Sequence, residues 1–127
     1  MRRMTPEQTV DAFLAAIERL DLEAGLALLA EDVEYDNVPS GKVHGRDGVR
    51  RALTPFLARC TEVEWRVLHQ AASGEVVMNE RVDRFHMANG WIDVAVAGLF
   101  VCRDGQITLW RDYFDLPTAA AAMAAGG

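Results

Sequence analysis

Cysteine is scarce in this chain of 127 residues, and its two copies, Cys60 and Cys102, stand far apart with no C-x-x-C between them. That argues against a disulfide framework and gives neither zinc nor redox chemistry a ligand set. Both thiols are expected to be free and buried. Positive charge is also in deficit, 13 Lys and Arg against 19 Asp and Glu, for a net charge of -6. Basic residues so outnumbered and scattered do not favour nucleic acid or an anionic membrane as partner. No run approaches the roughly 18 apolar residues of a membrane span. The opening MRRMTPEQTV carries arginines but no apolar leader core. The expectation is a cytoplasmic protein.

What is present is ordinary globular material, 50% hydrophobic and 25% charged, enough for one domain spanning residues 1–127. Thr5, Pro6 and Gln8 spell a helix start with a capping box, and Val10, Phe13, Leu14, Ile17 and Leu20 recur at helical spacing. Asp21 restarts the pattern for a shorter helix to about Ala30. VEYDNVP reads as a strand and SGKVHGRDG as a loop. A third helix starts near Asp47, and Pro55 is expected to bend or split it.

From Thr61 the period changes to two. EVEWRVLHQA, EVVMNERVDRFHM, WIDVAVAGLFVC and QITLWRDYFD are separated by SG, ANG and RDG, all hairpin turn signals. A short Ala-rich helix capped by Asp115 closes the chain and frays at Gly126. Helices followed by an antiparallel meander make an α+β layer architecture, with one sheet face under the helices. Ile92, Val94, Val96, Gly98 and Phe100 mark the covered face.

Two strands break the apolar pattern of that face. Trp110, Asp112 and Phe114 share a side, as do Val77, Asn79, Arg81, Asp83, Phe85 and Met87. If both sets point inward, Asp83 and Asp112 meet across a cavity with Arg81 between or beside them. Burying such charges costs several kcal/mol per ion, on the order of what good hydrophobic packing would otherwise supply. They either form a plain buried ion pair, lie on a solvated convex face, or do acid-base chemistry. In the last case one carboxylic acid donates a proton and the other carboxylate takes one from water. Tyr35 and Asn37, two apart on one strand, share a face and can hydrogen-bond that water. Asp36 points the other way and is expected to be exposed.

The ordered set YDN, ERVDRF and WRDYFD resembles the limonene-1,2-epoxide hydrolase family, a branch of the cone-shaped α+β superfamily that includes ketosteroid isomerase and nuclear transport factor 2. The resemblance runs from about Thr5 to Leu116. It implies a curved, cone-like mixed sheet covered on its concave face by N-terminal helices around an apolar pocket. It further implies that Asp112 is the general base, Asp83 the general acid, Arg81 the bridge between them, and Tyr35 and Asn37 the holders of the attacking water. A homodimer is implied as well, and Met78, Val82, Leu99 and Leu109 make the outer sheet face apolar enough for one.

Phe85, Val94, Val96, Trp110 and Phe114, with Leu14 or Phe56 from the helices, are expected to line the pocket, a lining suited to a hydrophobic epoxide. Trp65 can join the pocket or a subunit contact. His44, His69 and His86 show no ligand spacing, so neither metal nor cofactor is expected. Two other readings stay open: an isomerase or cyclase of the same fold, needing one base and an oxyanion donor, and a non-catalytic binder of a small apolar ligand.

Overall fold

The computed structural model describes residues 3–126; Met1 and Arg2, which belong to the stretch read as lacking a leader core, lie outside the described residues. Helix α1 (Pro6–Glu18) opens with the expected capping box. Thr5 Oγ1 accepts from the Gln8 backbone N–H at 3.1 Å, and the Gln8 side chain accepts from the Thr5 N–H at 2.9 Å. The stripe Val10, Phe13, Leu14 and Ile17 is buried. Asp21 caps α2 (Leu22–Ala27), which ends earlier than expected because β1 (Leu29–Asn37) begins before the anticipated strand.

The stretch read as a loop holds a short strand, β2 (Gly41–His44), paired antiparallel with the end of β1. Four residues with no apolar alternation carry too little pattern to be seen in sequence. Helix α3 (Gly45–Leu57) runs as one element through Pro55 instead of splitting there. The amide missing at Pro55 would have bonded the Arg51 carbonyl in the last turns, and Arg51 is exposed, so water can serve that oxygen.

Strands β3 (Glu62–Ser73), β4 (Val76–Met87), β5 (Gly90–Arg103) and β6 (Gln106–Tyr113) form the meander, followed by α4 (Leu116–Gly126). Asp115 caps α4 by accepting from the Thr118 N–H at 3.0 Å. The β5–β6 turn places both Asp104 and Gly105 at positive φ, 54° and 76°, as a two-residue turn matched to strand twist requires. The sheet is curved and six-stranded in the order β2-β1-β6-β5-β4-β3, and β1 pairs parallel with β6 while every other pairing is antiparallel.

Helices cover one face, and the core between them and the sheet is aromatic. Trp110 stacks on Tyr35 with ring centroids 3.8 Å apart and takes the edge of Phe13 at 4.9 Å. Cys60 and Cys102 are both free and buried. No helix among the described residues is long and apolar enough to cross a membrane.

Candidate active site

Strand register puts five inward positions in one row across the sheet: Gln70 on β3, Asn79 on β4, Gly98 on β5, Asp112 on β6 and Asn37 on β1. Arg81 and Asp83 follow Asn79 at every second position of β4 and so face the same way. The glycine in the middle of the row is a gap. The guanidinium of Arg81 fills it: a Cβ added at Gly98 would stand 2.2 Å from Arg81 Nη1 and 3.2 Å from Asp112 Oδ1.

Arg81 is buried and uses its donors in a fork. Nε and Nη2 donate to the two carboxylate oxygens of Asp83 at 2.9 and 3.0 Å. Nη2 also donates to Asp112 Oδ1 at 3.2 Å, and Nη1 donates to Asn79 Oδ1 at 2.9 Å. The cation lies 5.3 Å from the Trp65 ring centroid and 5.9 Å from that of Phe100, so aromatic faces cover it as well.

Two buried carboxyl groups against one guanidinium leave a surplus negative charge unless one of them keeps a proton. The electrostatics follow from that imbalance. Burial pushes the Asp112 carboxyl up to about 6 and the Asp83 charge adds to the rise, while Arg81 opposes it. Burial lowers the Arg81 value, but the Asp112 and Asp83 charges outweigh it, so the guanidinium is held protonated more firmly than usual. Burial, with the Asp112 charge second, raises Tyr35 well above the ordinary phenol range, so its hydroxyl keeps its proton. The indole N–H groups of Trp65 and Trp110 are buried without a hydrogen-bond partner. Trp110 is near enough to Asp112 to lower its value slightly.

Asp83, Asp112, Tyr35 and Asn37 all open onto one cavity of about 250 Å³. Its other walls are apolar. Phe85, Val94, Val96 and Phe114 come from the sheet side, Phe56 and Leu53 from α3, and Ala119 and Met123 from α4. Such a cavity can hold a small apolar molecule against two carboxylates of differing environment, which is an arrangement for moving protons.

The family described as Limonene-1,2-epoxide hydrolase catalytic domain matches residues 4–124. The chain belongs to the limonene-1,2-epoxide hydrolase family. Membership makes it a hydrolase acting on ether bonds. The chain is 34% identical over 107 residues to the epoxide hydrolase EphG of Mycobacterium tuberculosis (strain ATCC 25618 / H37Rv), covering 84% of this chain and 71% of that protein. A solved LEH-like epoxide hydrolase of M. tuberculosis superposes with a TM-score of 0.83 at 30% identity, over 95% of this chain and 90% of the other. A protein of ketosteroid isomerase-like fold from Catenulispora acidiphila DSM 44928, solved with trimethylamine, gives 0.80 at 27% identity, over 95% of each chain.

Within this limonene-1,2-epoxide hydrolase family member, Arg81 sits behind the two carboxylates instead of in the cavity wall. Two expectations need correction. Trp110, expected on the wall, lies behind it with no exposure, closed off by Tyr35 on one side and Phe13 on another. Of the two helical candidates, Phe56 reaches the cavity and Leu14 is core. Asp36 is buried, not exposed, because Arg111 on neighbouring β6 covers it, donating from Nε at 2.9 Å.

Residues of the site that the sequence reading did not single out are Asn79, Gly98 and Gln70. Asn79 and Gly98 stood in the inward sets, and what marks them is cross-strand register, which alternation along single strands does not supply. Trp65, left open between pocket and interface, lines the cavity.

Proposed function

We propose that this chain adds water to a small or medium hydrophobic epoxide in one step to give a vicinal diol. Asp112 is the general base that takes a proton from water as the oxygen attacks an epoxide carbon. Asp83 is the general acid that gives a proton to the leaving oxygen. As the C–O bond to the water oxygen forms, the ring C–O bond breaks, and the proton gained by Asp112 balances the one lost by Asp83. Return of a proton from Asp112 to Asp83 through solvent resets the pair, with Arg81 protonated throughout. No ester to the protein forms.

The observation that carries this reading is the single guanidinium shared by two buried carboxylates that face one apolar cavity. Arg81 holds both acids at fixed separation and stabilises the carboxylate left on whichever has given its proton. Asp112, with its value near 6, is mostly ionised at neutral pH yet basic enough to take a proton, the compromise that general-base work favours. Tyr35, kept protonated, and Asn37 orient the water without competing for its proton. Acid and base steps contribute roughly 10²- to 10⁴-fold each, and positioning adds to that.

The cavity of about 250 Å³ favours an epoxide with a modest apolar body over an extended one. We assign Phe85, Val94, Val96 and Phe114 to substrate contact. An isomerase of this fold would need one base and an oxyanion donor, and would leave the second carboxylate of the Arg81 bridge without a task. A mere binder would keep its function without either carboxylate. Residues 1–127 act as one domain, a cytoplasmic homodimer through the outer sheet face, with water and epoxide as the partners and neither nucleic acid nor membrane involved.

The test is diol formation from a panel of epoxides by Asp83→Asn and Asp112→Asn, each checked for an intact fold. Each variant is expected to lose at least about 10³-fold in kcat. Full turnover in both would dismiss the acid and base assignments.

A further inference from the structure

We propose that Asn79, Gln70 and Asp11 form a hydrogen-bonded strut that fixes the position of Arg81, with Asn79 as the positioning residue at its buried end. The inference rests on Arg81 being the bridge between two working carboxylates.

The strut runs outward from the guanidinium. Arg81 Nη1 donates to Asn79 Oδ1 at 2.9 Å, Asn79 Nδ2 donates to Gln70 Oε1 at 3.1 Å, and Gln70 Nε2 donates to Asp11 Oδ1 on α1 at 3.1 Å. Its two ends fix its direction. A guanidinium can only donate and a carboxylate can only accept, so both amides between them must turn their oxygens inward and their nitrogens outward. Flipping either amide sets donor against donor and acceptor against acceptor. Each bond in such a one-way chain polarises the next.

Gln70 reaches this chain because β3 carries an irregularity between Val67 and His69. Val67 pairs with inward Arg81, yet Gln70, three residues on, pairs with inward Asn79. Without that extra residue, strict alternation would send Gln70 to the outer face. The bulge therefore has a defined result: it places an amide between the buried site and α1.

Asp83, Arg81 and Asn79 share β4, whereas Asp112 belongs to β6, beyond β5. Arg81 makes its single and longest bond of the set to Asp112, at 3.2 Å. The two bonds to Asp83 hold only the Nε–Nη2 edge of the guanidinium and resist tilt of its Nη1 end least. The Nη1 bond to Asn79 removes the tilt and aims Nη2 at Asp112, and Gln70 with Asp11 keeps Asn79 from yielding.

The experiment measures rotation about the Arg81 Nε–Cζ bond by NMR, together with kcat and KM, in the full chain carrying Asn79→Leu, Gln70→Leu or Asp11→Ala. Asn79→Leu is expected to speed that rotation at least about tenfold and to lower kcat roughly 10- to 100-fold, the equivalent of one charge-assisted hydrogen bond, with KM within about twofold. Gln70→Leu gives the same signature at several-fold, and Asp11→Ala a smaller one still. Because Asp11 is exposed, that last variant tests the strut even if Asn79→Leu fails to fold. Wild-type rotation and kcat in both Gln70→Leu and Asp11→Ala would overturn the strut. If the chain hydrolysed no epoxide, the rotation rates would still decide it, so the two readings fail separately.

Discussion

Gly98 and Arg81 occupy the same space by turns: the volume a Cβ would fill at Gly98 is taken by Nη1 of Arg81, 2.2 Å from where that carbon would sit. The same carbon would be 2.8 Å from Asn79 Oδ1 and 3.2 Å from Asp112 Oδ1. Gly98 is not among the residues held at positive φ, so its need for glycine is steric and local.

Gly98→Ala is therefore expected to fold with its backbone unchanged and to displace the guanidinium. Overpacking of this kind costs about 1–3 kcal/mol of stability. The loss in kcat should be larger than that figure suggests, at least about 10²-fold, because Arg81 cannot keep both carboxylates once it moves. Thermal unfolding and steady-state kinetics on the same preparation measure both effects.

Asp112 gives a prediction in pH. Its carboxyl sits at about 6 in the folded chain against 3.8 unperturbed, so between those values the folded state binds more protons than the unfolded. Stability is accordingly highest below the unfolded value and falls as pH rises through about 6, by about 3 kcal/mol in all. Asp112→Asn mimics the protonated form. It is expected to melt several degrees higher than the wild type at pH 8 and close to it at pH 4, while losing activity. The wild-type rate should rise with pH through about 6 as Asp112 ionises. Melting curves and a pH-rate profile measure both.

Tyr35→Phe separates the hydroxyl from the ring. The stacking on Trp110, with planes 13° apart, survives the change, so the fold should hold. Loss of a hydroxyl that orients water is expected to lower kcat about tenfold with little effect on KM. Wild-type kcat in this variant would remove Tyr35 from the water site.

The four polar side chains that open onto the cavity were readable because period-two parity sets each on a definite face of its strand: Tyr35 with Asn37, and Asp83 and Asp112 beside large apolar neighbours, although the spoiled alternation of the Asp83 strand does not by itself say which face is inward. An acid on a core face is conspicuous in one dimension. Gln70 was not readable, since the bulge in β3 reverses the parity that alternation assumes. Asp36 was misjudged because its cover, Arg111, comes from a strand adjacent only through the parallel β1–β6 pairing, 75 positions away in sequence. Trp110 has the right parity for the wall, but being on the inward face does not decide depth. That depends on which ring stands in front, here Tyr35. Likewise β2 has no pattern of its own and exists because β1 offers it an edge.

The central claim, that water and not a carboxylate attacks the epoxide, is tested most directly by a single turnover in H₂¹⁸O with enzyme in excess over epoxide. Direct attack predicts ¹⁸O in the diol from the first turnover and none in Asp83 or Asp112. A first-turnover diol carrying unlabelled oxygen, with ¹⁸O appearing in either carboxylate, would contradict it.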